Sequence, residues 1–562
     1  MDRRATLSTL FGQKTFARSS AKQRVMEQKT AAKPSVFSGL EPYEGPWEFE
    51  QAAHLLRRTT FGPTNALIKE AVTSGLDAVM EQLFAELPLP APPVNPDFEE
   101  DPNVPIGETW IDAPYLESIK LKPYRNRSLR SWTTGLILEE GVSIREKLVL
   151  FWHNHFVTAN INDPKYNYRY ITLFRENAWG NFRELTKKIT IDPSMLRYLN
   201  GNQNTGGAAN ENYARELLEL FTIGKGELAG PGDYTNYTEV DVVQIARVLT
   251  GWRDIGFSSI NPDVQIHSVF IPNRHDKEAK KLSHRFDEVV ITNLGEEEYA
   301  HLIDIIFSKD EVARFISRKL YRWFVYYTIT DETEADVIES MAQILLQNDF
   351  EIRPALEALL RSQHFFDMLN VGPMIKNPID FVLSFLKQFE ATFPEPLAQK
   401  YRHWFLVGRV LPSLQMEYFS PPSVAGWKAY YQEPGFYRMW INSVTLPIRM
   451  EVTNLFITEG LRAAGARTTI DVLAFIEKLQ YPSDPNSLIM ESAAILFPQP
   501  ISENQLNFLK GILIPGLPDF EWTSEYNAFL SDPTNEDLAL TVSNKLRNLY
   551  RAMLSMPEFY LS

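Results

Sequence analysis

No cysteine occurs anywhere in the 562-residue chain, and that one absence removes disulfides, thiolate nucleophiles, iron–sulfur clusters and thiolate zinc sites. Any metal held here must use histidine, carboxylate or amide ligands. Long apolar runs are missing too. No stretch approaches the roughly 20 consecutive apolar residues of a membrane-spanning helix, so no transmembrane segment is expected. Positive charge is in deficit: 56 Lys plus Arg face 71 Asp plus Glu, a formal net charge of −15. Basic clusters are short, such as Arg57-Arg58 and YRNRSLR at 124–130, and nucleic acid is not an expected partner. The sequence also lacks a G-x-S-x-G elbow, a phosphate-binding loop, H-E-x-x-H and a dinucleotide fingerprint.

What is present suits burial. The chain is 44% hydrophobic and 12% aromatic, enough for a large globular core. A mainly α fold is expected: a large multi-helix globular domain with a small β-hairpin-like excursion near 253–295. Residues 1–45 read as a flexible tail. Arg3-Arg4 and the mildly apolar stretch after them have the outline of a twin-arginine export signal, but Thr6, Ser8 and Thr9 break the stretch and no small-residue cleavage site follows. Export and a retained arm both stay open.

A helical half is expected over 46–252, with helices near 48–58, 126–140, 143–158, 163–178, 210–222 and 237–251. Residues 87–112 carry seven prolines and read as a loop. Within 253–295, DVQIHSVFIP and DEVVITN alternate around a polar NRHDKEAKKLSHRF segment, suggesting a small hairpin-like excursion. The second helical half, 296–562, shows patterns at 309–326, 332–347, 377–392, 437–463 and 535–555.

Three constellations carry candidate chemistry. In KLVLFWHNHFVTAN, 147–160, apolar residues point in every direction at about 100° per residue, so the helix is wrapped by protein. His153, Asn154 and His155 are then buried and need partners. His153 and His155 point about 200° apart on a regular helix; they are metal ligands at a frayed end, or a structural network. In NENYARELLELFTIGKG, 210–226, Tyr213, Ala214, Leu217, Leu218, Leu220 and Phe221 fill one arc. Glu211, Asn212, Arg215, Glu216 and Glu219 fill the other, as a solvated face or as a carboxylate site. Glu211 and Arg215 are spaced for an ion pair, Gly224 stops the helix, and Thr238 with Asp241 opens the next one. His275-Asp276, with Lys280 and His284 nearby, forms a loop able to take a metal or an anion, or simply a polar surface.

Six ordered blocks carry a family resemblance: AAHLLRRTTFGPT, REKLVLFWHNHFVTA, NENYARELLELFTIG, YTEVDVVQIARVLTGW, HDKEAKKL and PPSVAGW. Together with the closing LYRAMLSMPEFYLS, they resemble the bacterial family catalogued as domain of unknown function 1800. The resemblance implies a bacterial protein, often exported to the cell envelope and encoded beside a sulfatase-like companion of the family numbered 1501. It implies no reaction. The chain departs from the family in its weak export signal, which leaves a cytoplasmic location open, and in lacking the glycine that often follows the His-Asp pair.

Two function classes follow. In the first, the three constellations converge on one cleft as a metal-assisted hydrolase of an ester or polymer linkage. His153, His155, Glu219, His275 and Asp276 are then the candidate ligands of a divalent metal. Glu216 is the general base, with His155 and Arg215 as further catalytic groups, and Asn212, Lys280 and Trp427 contact substrate. In the second, the polar residues only fix helix packing. PPSVAGWKAYYQEPGFYRMW then offers exposed aromatics to a glycan or a protein partner such as the 1501-type companion.

Overall fold

The computed structural model describes residues 39–430 and 436–562; the possible export signal lies outside them. Helices follow wherever an apolar stripe recurs every three to four residues behind a capping residue. In the first half they are α1 (Phe49–Thr59), α2 (Asn65–Leu83), α3 (Lys122–Glu139), α4 (Arg145–His155), α5 (Pro164–Glu176), α6 (Phe182–Thr190), α7 (Pro193–Tyr198), α8 (Glu211–Glu216) and α9 (Glu239–Val248). Then come α10 (Glu298–Phe307), α11 (Glu311–Phe324) and α12, which runs from Asp331–Thr333 through a wide turn at Glu334–Ile338 into Glu339–Gln347. The remainder are α13 (Ile352–Leu360), α14 (Pro378–Gln388), α15 (Leu397–Gly408), α16 (Thr445–Thr458), α17 (Val472–Glu477), α18 (Pro485–Leu496), α19 (Glu503–Leu513), α20 (Asp519–Ser531) and α21 (Glu536–Leu554). The protein is mainly α, as its sequence implies.

Caps set several of these starts. Thr238 Oγ1 accepts from the Asp241 amide, while Asp241 Oδ2 accepts from the Thr238 amide at 2.8 Å, the reciprocal box expected from the sequence. Thr64, Asp163 and Asn377 accept from amides in the first turns of α2, α5 and α14. Residues 87–112 hold no helix. Buried apolar side chains from both sides of 253–295, including Leu150, Phe221, Leu320 and Phe385, belong to one hydrophobic core.

Besides short 3-10 turns, the described residues include four two-stranded antiparallel ribbons: β1 (Leu228–Gly230) with β2 (Asp233–Tyr234), β3 (Trp252–Ile255) with β4 (His267–Phe270), β5 (Lys280–Lys281) with β6 (Val290–Ile291), and β7 (Leu461–Ala463) with β8 (Ala466–Thr468). The 253–295 excursion consists of two such ribbons, β3–β4 and β5–β6. Its middle is pinned away from strand pairing, because His275 Nδ1 donates to Thr250 O at 2.9 Å and the Asp276 amide donates to Thr250 Oγ1 at 2.8 Å. β4 pairs back onto β3, where Trp252 faces Phe270. The helix expected over 437–463 is shorter for a similar reason. Asn442 Oδ1 accepts from the Val444 and Thr445 amides and sets a late start, and Gly460 at φ +71° leads into the β7–β8 ribbon.

Candidate functional site

α4 is enclosed as its sequence implies: every residue from Arg145 to His155 is buried except Asn154, which is partly so. Ion pairs hold its first turns. Glu146 takes Nε and Nη2 of Arg175 at 2.7 and 2.8 Å, and Lys147 pairs with Asp380 of α14. The last turn then sends its three polar residues to different partners. His153 Nε2 accepts from the Phe419 amide at 3.1 Å, with its ring stacked on Tyr418 at 5.2 Å between centroids. Asn154 Oδ1 accepts from the Trp427 amide at 3.0 Å. That approach requires glycine at 426, since φ is +95° and a Cβ there would strike Asn154.

His155 meets the end of α8. Beyond Glu216 this helix widens into a π-turn over Leu217–Thr222 and stops at Gly224, φ +74°, whose amide donates to Leu218 O at 2.9 Å. The last carbonyls of a helix lack donors within it. Here side chains supply them: His155 Nε2–H donates to Phe221 O at 3.0 Å, and Lys319 Nζ donates to Leu220 O at 2.8 Å. With its proton on Nε2, His155 turns the Nδ1 lone pair toward Lys319, whose Nζ donates to it at 3.1 Å. Burial keeps the His155 imidazole neutral, its pKa well below the usual value. Neither partner of Lys319 thus carries charge. Burial, reinforced by Arg322, brings the Lys319 pKa down to about 7.

This group forms one wall of a cavity of about 240 Å³. α11 contributes Phe315, Lys319, Arg322 and Trp323, which share a face at three- and four-residue spacings, followed by Tyr327. The facing wall is Ala425, Ala429, Tyr430 and Tyr437, and Glu219 closes the side nearest the π-turn. Tyr327 stacks on Tyr437 at 3.5 Å between centroids and donates to its hydroxyl at 2.6 Å; Trp323 lies 4.8 Å from Tyr430. Glu219 accepts from the Tyr237 hydroxyl at 3.1 Å, with Lys225 at 3.4 Å. Aromatic walls enclosing one amine, one guanidinium and one carboxylate suit a small, partly planar molecule with an anionic group. A larger cavity of about 430 Å³ between α3, α14 and α15 has mostly apolar walls, and its Arg130 and Glu417 are paired with each other at 2.8 Å. Among the described residues its lining holds no lysine and no histidine.

Over residues 54–561 the chain matches the family model described as protein of unknown function, DUF1800. It belongs to that family. No curated protein and no solved structure matches it. Membership of DUF1800 therefore names relatives without naming a reaction, and chemistry must come from the site itself.

The residues singled out in this DUF1800 chain fall into separate places. His155 and Glu219 line the aromatic cavity. Glu216 lies outside its lining beside Tyr198, its carboxyl raised to about 6 by burial and then by Glu219. Arg215 turns to Glu239, which it grips twice at 2.8 Å, with Glu211 at 3.4 Å. Asn212 is exposed, its amide held by the Asn210 cap. His275 and Lys280 converge instead on buried Glu298, His275 Nε2 at 3.1 Å and Lys280 Nζ at 2.5 Å, while Asp276 pairs with Arg247 at 2.7 Å. Trp427 is buried and edge-on to His153.

The candidate ligands thus do not converge. Among the described residues no three His, Asp or Glu side chains are grouped to hold a metal ion, and none of the three imidazoles keeps a free lone pair. The described aromatics of the expected surface are not exposed: Trp427, Tyr437 and Trp440 are buried, and Tyr430 and Tyr437 wall the cavity, while 431–435 lie outside the described residues. No helix among the described residues is long and apolar enough to cross a membrane. The sequence reading missed Lys319, Arg322 and Tyr327. One signal was available: Phe315, Lys319 and Trp323 are four residues apart in turn, a cation between two aromatics on one helix face.

Proposed function

We propose that this DUF1800 member is an enzyme acting on a carbonyl linkage at the aromatic cavity, ester hydrolysis being the best-fitting class, with Lys319 as the base. The observation that carries this reading is an amine held by two uncharged acceptors, His155 Nδ1 and Leu220 O, at the wall of a ligand-sized cavity. A base with a pKa near the working pH is the effective one, and the Lys319 value of about 7 meets that condition. His155 is a positioning residue. Arg322 supplies positive charge for a developing oxyanion. A divalent metal with Glu216 as base has less support, because the candidate ligands are dispersed and Glu216 is outside the cavity lining.

The test is a panel of aryl and alkyl esters of small acids, followed by the pH dependence of kcat/KM. The expected profile rises with an apparent pKa near 7, and Lys319→Met lowers kcat/KM by about 100-fold or more. Full activity in a folded Lys319→Met variant overturns the assignment.

A further inference from the structure

We infer that Lys319 also acts as a covalent nucleophile, capturing a small oxo acid or an aldehyde that bears a carboxylate as an imine in this cavity. This rests on reading the cavity as a site with an unprotonated lysine, but not on ester hydrolysis. The geometry of the amine is the starting point. Two of its N–H directions are taken, by His155 Nδ1 at 3.1 Å and Leu220 O at 2.8 Å. Neither acceptor carries the negative charge that would hold a proton on the amine, and both can keep an N–H of the neutral form, so the proton that leaves is the one in the remaining tetrahedral direction, and a lone pair replaces it. An unprotonated lysine amine is the form that attacks carbonyl carbon.

The surroundings choose the ligand class. Arg322 lines the cavity one turn from Lys319, and although it has a contact of its own, its positive charge favours a ligand that bears a carboxylate. Phe315, with Lys319 Nζ 4.8 Å from its ring centroid, and Trp323 offer flat apolar faces for the rest of the molecule. Lys376 provides a contrast. Burial brings it to about 7 as well, but it sits beside a void of only about 10 Å³, with no room for a ligand.

The step balances without an oxidant. The Nζ pair attacks the carbonyl carbon as the C=O π pair moves onto oxygen, and one amine proton passes to that oxygen to give a carbinolamine. A proton from solvent lets the hydroxyl depart as water, and the nitrogen pair closes the C=N bond. The iminium keeps one N–H, directed to Leu220 O or His155 Nδ1.

The experiment uses the full wild-type chain, so no variant has to fold for the result to be read. Glyoxylate, pyruvate and 4-carboxybenzaldehyde are each added with cyanoborohydride near neutral pH, and adducts are located by peptide mass spectrometry. Trace acetic anhydride on a parallel sample reports which lysines are unprotonated and reachable. An ordinary lysine is only about one part in a thousand neutral near pH 7.5, so Lys319 is expected to lead both labelling reactions by about tenfold or more, with Lys376 unlabelled. Acetylation led by Lys319 without a reduced adduct from any of the three carbonyls overturns the imine and leaves the base reading standing. Lys319 behaving like surface lysines in both reactions overturns both.

Discussion

Lys319 Nζ stands 3.1 Å from His155 Nδ1, and the hydrogen bond runs from the lysine to the histidine. The usual division of labour is reversed: the imidazole is the neutral, fixed partner, and the amine is the group whose protonation changes near neutrality. Replacing His155 by Ala removes this acceptor, leaves Phe221 O without its donor and opens space in the core. A loss of about 2–4 kcal/mol in urea unfolding is expected. Water entering the gap should also return the Lys319 pKa toward the ordinary lysine range. A pH titration of acetylation at Lys319 measures this, and an unmoved midpoint counts against the role given to His155.

Acid stability should report on His153. Burial lowers its pKa in the folded protein to about 3, against about 6.5 in an unfolded chain. Between those values the unfolded chain binds a proton that the folded one refuses. This contribution to stability is therefore intact above about pH 6.5 and falls by up to about 1.4 kcal/mol per pH unit below it. The slope of unfolding free energy against pH should be shallower in His153→Gln, with a residual slope from His54, whose pKa burial also lowers to about 3, and from His155, which burial keeps well below the usual value. Parallel slopes in the two proteins would show that His153 takes up its proton while folded.

Glu298 anchors the loop that includes His275. Its side chain and that of Lys280 are wholly buried, and Glu298→Ala strands the Lys280 ammonium with no carboxylate to face. Removing one partner of a buried pair costs about 3–5 kcal/mol, so the urea midpoint of Glu298→Ala should drop well below that of wild type. The expected cost is structural: imine capture at Lys319 should persist wherever the variant remains folded.

At position 426 the expected cost comes from the backbone. Gly426→Ala must adopt φ +95° or push its Cβ against Asn154, for a loss of about 1–3 kcal/mol. Because Ala425 and Ala429 flank it in the cavity wall, labelling at Lys319 should change together with stability. Gly465→Ala, in the open turn between β7 and β8, has a positive φ but nothing within 4 Å of its added Cβ. It should cost less, and equal effects at the two positions would remove the close approach as the explanation.

Much of the helical fold was legible locally. The all-round apolar character of 147–156 implies an enclosed helix, and the Thr238–Asp241 spacing implies a capped start; α4 and α9 have those properties. His155 and Glu219 were legible as candidates for the same reason, polar groups on helices with too much apolar surface to be free. Their partner was not. Lys319 sits in an ordinary-looking RKLYRW run, and what sets it apart is that folding gives it carbonyl and imidazole acceptors in place of a carboxylate. That is a relation between α4, α8 and α11, which no single stretch contains. The separation of His275-Asp276 from the cavity is equally non-local, because it depends on Glu298 reaching back from α10.

The π-turn at Leu217–Thr222 has a consequence for how such a site changes over time. A π-turn holds one residue more than an α-turn of the same rise requires, and here the end of that wide turn presents Leu220 O and Phe221 O to Lys319 and His155. The arrangement is thus stored in the length of the chain as much as in its side chains. Single substitutions between 217 and 222 can leave it in place, whereas deleting one residue lets the helix close to regular α form and rotates both carbonyls away from their donors. Among related chains, an insertion or deletion here would be the shortest route to losing the site while keeping every residue that lines it.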